Sequence, residues 1–266
     1  MKFKPLVHAI SIGDTEMDYA VFGKGEKPLI MIPGLNLKSV KEVAVPTAYM
    51  YRIIGEEYKV YIFDRKADIP EGYTVRDIAA DVAYAMRELG ILNADVLGIS
   101  QGGMIGQYLA MDYPELVHKL VLGVSLSREN PTARKVISNW ISMAERGDYE
   151  AISVDMLEKM YTDAYKEKYG KLIPLLSKAG KPKDMERFIT LAKACFTCDT
   201  YEQLDRIKCP VFVIGGKLDQ VVSGEASVEI AEKLGCKLYM YEDMGHAVHE
   251  EAVDFNERVL EFLREE

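Results

Sequence analysis

The sequence predicts an α/β fold: a mostly parallel central sheet of about eight strands, helices on both faces, and a helical cap inserted once into the alternation. Two observations carry the prediction. Short apolar runs of strand length alternate with amphipathic stretches along most of the chain, the pattern of parallel strands joined by helical crossovers. Between about Ser127 and Arg206 no strand pattern is found and only helical spacings persist, after which strand-like segments resume. The expected division is a core of residues 1–126 and 207–266, with residues 127–206 as a helical lid lying between two strands of the same sheet. A length of 266 residues suits one such domain better than two.

The elements follow in order. Leu6 to Ile12 and Met17 to Phe22 read as two strands joined across Gly13-Asp14, a hairpin signal. Leu29 to Ile32 is a continuous apolar run of the buried-strand type and stops at Pro33-Gly34. A helical stretch reaches Gly55, and Tyr58 to Phe63 is the next strand, closed by Asp64-Arg65. Thr74 opens a helix, its hydroxyl placed to cap Asp77, with Ile78, Val82, Ala85 and Leu89 on one face and Gly90 at its end. Ala94 to Ile99 and Leu120 to Val124 are strands separated by a helix from Ser100 to Asp112. Asn130-Pro131 starts the helical insert with a capping side chain and proline at the first helical position. Val211 to Ile214 resumes the sheet, a short helix begins near Val221, Lys237 to Tyr241 is the last strand, and Val248 to Leu263 is the last helix.

Composition narrows the function classes. Acidic residues outnumber basic ones, 42 to 33, for a net charge of −9, and no basic cluster interleaved with aromatics offsets that field, so nucleic acid is not an expected partner. No apolar run approaches a membrane span, and the Met1-Lys2-Phe3-Lys4-Pro5 start lacks the apolar stretch of a secretory signal, so a cytoplasmic enzyme is expected. A homodimer is compatible with such a chain. Cys195-Phe-Thr-Cys198 has zinc or redox spacing, but no second pair of ligands completes it, and the four cysteines read as packed or half-exposed thiols. Neither metal nor cofactor is expected.

The chemistry centres on Gly98-Ile99-Ser100-Gln101-Gly102, between a predicted strand and a predicted helix. A serine on so sharp a turn needs small residues two positions to either side, and Gly98 and Gly102 supply them. The turn carries the Ser100 hydroxyl to the carboxyl edge of the sheet, where open α/β folds bind ligands. A serine hydroxyl needs a base, itself held by a third group. Of four histidines, His8 lies in the first strand and His118 precedes its strand, at the amino edge. His246 follows the last strand in Gly245-His246, and His249 lies one turn further on. The edge requirement favours His246 as the base. Asp219 follows the strand Val211 to Ile214 and is favoured as the acid over Glu129 and Asp243, because it fits the chain order Ser…Asp…His. The backbone N–H of Gln101 and that of Leu35, in the Pro33-Gly34-Leu35-Asn36 loop, are the expected oxyanion donors.

Taken together, the Pro33-Gly34 loop, Asp64-Arg65, Gly98 to Gly103, Tyr113-Pro114-Glu115, the Gly216 to Asp219 loop and Gly245-His246 resemble the α/β-hydrolase superfamily. The resemblance is to the small esterase, lactonase and C–C-bond hydrolase branch with a helical cap, and it spans essentially the whole chain. It implies triad roles for Ser100, Asp219 and His246 and an oxyanion hole at Leu35 and Gln101. The chain departs from the family where Pro33 stands in place of the common histidine, and where Lys66-Ala-Asp-Ile-Pro-Glu-Gly-Tyr73 replaces a turn rich in glycine and serine. A serine nucleophile sets it apart from haloalkane dehalogenases and epoxide hydrolases, which use aspartate.

The expected activity is hydrolysis of a small carboxylic ester through an acyl-enzyme. Hydrolysis of a lactone or a C–C bond by the same triad, and a non-catalytic ligand receptor on the same fold, are the alternatives. Trp140, Tyr161, Tyr165, Phe188 and Phe196 of the insert suggest an apolar roof over the pocket, with Trp140, Tyr161 and Phe188 as substrate-binding candidates. Packing between lid helices is the commoner use of such residues.

Overall fold

The strands are β1 (Leu6–Ile12), β2 (Thr15–Phe22), β3 (Lys27–Ile32), β4 (Tyr58–Lys66), β5 (Ala94–Ile99), β6 (Val117–Gly123), β7 (Val211–Gly216) and β8 (Lys237–Tyr241). In the computed structural model, which describes residues 4–170 and 185–265, they form one sheet in the order β1-β2-β4-β3-β5-β6-β7-β8. Met1-Lys2-Phe3, part of the expectation of no signal sequence, and residues 171–184 of the expected insert lie outside the described residues. The β1–β2 and β2–β4 pairs are antiparallel, and every pair from β4 to β8 is parallel.

Helices α1 (Val40–Met50), α2 (Val75–Glu88) and α3 (Gln101–Asp112) connect the first strands. The insert between β6 and β7 contains α4 (Pro131–Glu145), α5 (Tyr149–Met160), α6 (Asp163–Tyr169) and α7 (Met185–Cys195). After β7 come α8 (Gly224–Leu234), α9 (Val248–Glu251) and α10 (Phe255–Arg264). The expected caps form: Thr74 Oγ1 accepts the Asp77 N–H at 3.1 Å, and Asn130 Oδ1 accepts the Ala133 N–H at 2.9 Å.

Strand residues alternate between two apolar layers, as the period of two requires. Ile30, Ile32, Val96, Leu120, Leu122 and Val213 face α2, α3, α8 and the insert. Leu29, Met31, Leu97, Ile99, Val121 and Ile214 face α1 and α10. All six residues of β5 are buried, which places the strand carrying Ser100 at the centre of the sheet.

The strand expected at Leu120 to Val124 instead spans Val117–Gly123, which takes His118 into the strand, and β2 and β3 each start two residues early. Three further segments differ. β4 runs on through Asp64-Arg65 to Lys66, because Lys66 pairs with Met17 of the antiparallel neighbour β2. The helix expected from Val221 begins at Gly224, since Val221 and Val222 direct their N–H groups to the Asp219 carboxylate. The single last helix is broken into α9 and α10, with Val253 94% exposed at the break.

The amino edge of the sheet carries a buried charge. Asp95, fully buried in β5, accepts from Tyr58 Oη at 2.9 Å and lies 2.6 Å from His118 Nδ1 and 2.7 Å from Lys27 Nζ. His118 is thus bound up at the edge opposite Ser100. Lys27 and His118 are partly exposed and can rehydrate if the carboxylate is removed, while the Tyr58 hydroxyl loses its acceptor. Asp95→Ala is therefore expected to cost about 1–3 kcal/mol, read from the midpoint of chemical denaturation, less than breaking a fully buried pair.

Candidate active site

β5 ends in a backbone that few residues tolerate. Ser100 has φ 54° and ψ −117°, and the helix α3 begins at the next residue. Neighbouring backbones hold this strained turn. The Ser100 N–H donates to Gly123 O at 2.8 Å, and Ser125 Oγ donates to Ser100 O at 2.8 Å. The turn also requires bare backbone around it. A Cβ on Gly102 would sit 1.8 Å from Ile32 O, and one on Gly98 would sit 2.4 Å from Gly102 O. Gly34 of the facing loop brings its backbone against Ser100, where a Cβ would lie 3.2 Å from the serine Cβ.

The other two residues reach Ser100 from separate loops. His246 Nε2 is 3.0 Å from Ser100 Oγ, and His246 Nδ1 is 2.7 Å from Asp219 Oδ2. An ionised carboxylate only accepts, so Nδ1 carries the proton given to Asp219 and Nε2 is free to accept the serine hydroxyl. Asp219 Oδ1 accepts the N–H groups of Val221 at 2.7 Å and Val222 at 3.0 Å, which locks its orientation. Both side chains are buried, Asp219 at 7% and His246 at 3% exposure. The two loops are joined by the Lys217 N–H to Tyr241 O bond (2.9 Å) and the Leu218 N–H to Met244 O bond (2.9 Å). Gly216 makes their approach feasible, since a Cβ there would meet Gly245 O at 2.1 Å.

Leu35 follows Gly34 in the loop facing Ser100, and Gln101 follows Ser100 in the chain. Gln101 opens α3, so its N–H is among those a helix leaves without an intrahelical acceptor. The Leu35 N–H has no acceptor among the described residues. Arg65 bridges the two segments: one Nη2 donates to Pro33 O at 2.7 Å and to Gln101 Oε1 at 2.9 Å. Burial lowers the Arg65 guanidinium to about 10, against the raising influence of Asp64, so it is charged at neutral pH. The Gln101 amide continues to Leu191 O (2.6 Å) and Cys195 Sγ (3.1 Å) of α7, so the strained turn is tied to the insert.

Above Ser100 and His246 opens a cavity of about 510 Å³. The insert contributes Ile137, Trp140, Met156, Leu157, Met160 and Tyr161 to its wall, and Leu35 of the core also lines it. Trp140 donates Nε1–H to Asp155 Oδ2 at 2.7 Å, which leaves its ring to face the cavity. Phe188 and Phe196 do not line it: Phe188 is 2% exposed within the apolar layer, and Phe196 packs under the Arg134 guanidinium. Tyr165 stacks on Tyr161, ring centres 4.5 Å apart. Glu129 pairs with Arg134, away from His246, and His8 stacks on Tyr19 in the hairpin. His249 lines the cavity but bonds neither Ser100 nor Asp219.

A sequence profile of the α/β hydrolase fold matches residues 27–253. The chain belongs to the α/β hydrolase family. It is 28% identical, over 79% of its length and 84% of the relative, to a Rhizobium rhizogenes protein named as a candidate carbamate hydrolase, RutD. It is 26% identical to 3-oxoadipate enol-lactonase 2 of Acinetobacter baylyi, over 82% of this chain and 83% of that one. Among solved structures, the α/β hydrolase MGS-M2 from a Medee basin deep-sea metagenome superposes with a TM-score of 0.85 at 20% identity, covering 97% of this chain and 98% of that one. The enol-lactonase of Burkholderia xenovorans does so with a TM-score of 0.84 at 21% identity, covering 97% and 100%.

In this α/β hydrolase the four cysteines are free thiols. Among the described residues no cluster of three or more His, Cys, Asp or Glu side chains is placed to hold a metal ion, and no helix is long and apolar enough to cross a membrane. Sequence reasoning passed over Arg65 as a bridge, because its partners Pro33, Gln101 and α7 are remote in the chain. It also passed over Glu250, whose only signal was its position one turn past His246.

Two outcomes follow from these contacts. Gly102→Ala is expected to cost about 1–3 kcal/mol, because its Cβ meets backbone rather than a movable side chain, and to displace Ser100; denaturation midpoints check the first. Burial pushes Cys195, Cys209 and Cys236 up to about 11 and Cys198 higher still, so all are protonated at neutral pH. Alkylation by iodoacetamide, followed by peptide mass mapping, is expected to reach the half-buried Cys209 and Cys236 before the buried Cys195 and Cys198.

Proposed function

We propose that this chain is a serine hydrolase that cleaves a small carboxylic ester through an acyl-enzyme. One observation carries the reading: the unbroken relay from Asp219 Oδ2 through His246 to Ser100 Oγ, with spans of 2.7 and 3.0 Å, at the floor of an apolar cavity. As Ser100 Oγ bonds to the substrate carbonyl carbon, its proton passes to His246 Nε2. The carbonyl oxygen takes up negative charge between the N–H groups of Leu35 and Gln101. His246 then gives its proton to the departing alkoxide as the C–O bond breaks. A water molecule repeats the sequence on the acyl-enzyme, losing its proton to Nε2 and releasing the acid and Ser100. Asp219 holds the imidazole in the required tautomer and stabilises it when charged.

In this reading residues 127–206 act as the lid. Their contribution is to exclude water from the reacting carbonyl and to shape the acyl or alcohol site through Trp140 and Tyr161. Hydrolysis of a lactone is the second reading, supported by the relative and the structural neighbour named as enol-lactonases. The triad performs the same steps on a lactone, but the alcohol stays tethered to the acyl group.

A fluorophosphonate probe tests the proposal, since Ser100 Oγ displaces fluoride and keeps the phosphorus. Labelling of the wild type and none of Ser100→Ala is the expected result, and no labelling of the wild type at neutral pH would overturn it. With p-nitrophenyl esters, Ser100→Ala or His246→Ala is expected to lower kcat by roughly 10⁴–10⁶-fold. A panel of matched esters and lactones then ranks the two substrate classes by kcat/KM.

A further inference from the structure

One end of the cavity is not apolar. Tyr51, Tyr161, His249 and Glu250 line it beside His246, the Glu250 charge acting on both tyrosines. Glu250 is the one carboxylate among the described residues that line the cavity, and none of those residues is Lys or Arg. Its neighbour Glu251 has both oxygens engaged by Thr162, whose N–H lies at 3.0 Å and whose Oγ1 lies at 2.6 Å. Glu250 is held more loosely. Its Oε2 accepts from Tyr161 Oη at 2.6 Å, while Oε1 stands 3.5 Å from His249 Nε2, the outer limit of a hydrogen bond. The side chain keeps 28% of its accessible surface, and the residue as a whole is exposed.

We propose that this end is a subsite for a positively charged group, so that the preferred substrate is an ester with an apolar body carrying a protonated amine or quaternary ammonium. The inference rests on the esterase reading for the reaction, but the subsite itself is a matter of binding. A carboxylate at the cavity whose second oxygen has only a 3.5 Å contact to His249 gains from a cation that arrives with the ligand. Burial pushes the Glu250 carboxyl up, but the His249 and Tyr161 bonds and the nearby His246 ring outweigh it and hold it below the usual carboxylate range, so it is ionised at neutral pH. The aromatic rings of Tyr51 and Tyr161, both near enough to feel the Glu250 charge, add a favourable surround for an ammonium ion. The same charge acts against anions. A carboxylate-bearing substrate would bring a second negative charge beside the first, with no Lys or Arg among the described lining residues to offset it.

Three probes of similar length test this by isothermal titration calorimetry: 4-phenylbutylammonium, 4-phenylbutan-1-ol and 4-phenylbutanoate. The ammonium is expected to bind the wild type at least tenfold more tightly than the alcohol, with the carboxylate weakest. In Glu250→Gln the ammonium and the alcohol are expected to fall within threefold of each other. Tyr161→Phe, which keeps the charge, is expected to retain the order. Equal binding of ammonium and alcohol to the wild type, a preference that survives Glu250→Gln, or failure of all three to bind overturns the proposal. The wild-type comparison needs no variant to fold. Calorimetry also needs no reaction at Ser100, so the same order in Ser100→Ala separates failure of this subsite from failure of the hydrolase reading.

Discussion

The backbone of Ser100 is the constraint around which the rest is arranged. A non-glycine residue at φ 54° and ψ −117° is held there only if its surroundings leave it no alternative. Here β3, β6 and the first turn of α3 all press on the turn through bare backbone. Gly102 lies against Ile32 O, Gly103 against Ser125, and the Ser100 N–H is taken by Gly123. The strain spreads to the neighbouring strand end, where Val124, a β-branched residue, adopts φ 43°. Its N–H is held by Ile214 O of β7 at 2.9 Å, so three parallel strands share the cost of raising one hydroxyl above the sheet edge.

The insert is bound to that edge through polar contacts, at points that matter for the site. Gln101 reaches α7, and Asn130 at the head of α4 donates Nδ2–H to Val222 O at 2.7 Å, in the turn that grips Asp219. Met160 O, at the end of α5, accepts the N–H of Ala247, the residue after His246, at 2.9 Å. Ser100, Asp219 and His246 therefore each have a chain neighbour, or a near one, bonded to the helices of the insert.

The cavity joins this rigid relay to a soft lining. Met31, Met50, Met104, Met156 and Met160 all line it, and unbranched thioether side chains adapt to ligand shape better than branched ones. Shape is then a weak filter, and charge becomes the sharper one. Glu250 also lies near enough to His246 for that ring to help hold its carboxyl ionised.

Much of this was legible in the chain itself. Period-two and period-3.6 patterns, together with Gly-Asp, Asn-Pro and Pro-Gly punctuation, are local signals, and they determined the strands, the helical insert and the turn at Ser100. Chain order and the carboxyl-edge rule, supported by family likeness, were enough to single out His246 and Asp219 as partners for Ser100. Three things were decided only by tertiary structure. β4 extends past Phe63 because an antiparallel neighbour pairs with it, Arg65 matters because two loops remote in sequence meet its guanidinium, and Phe188 is withdrawn from the cavity because α7 turns it into the apolar layer. Each depends on contacts between residues far apart in the chain, which leave no period or spacing in the sequence for a local reading to detect.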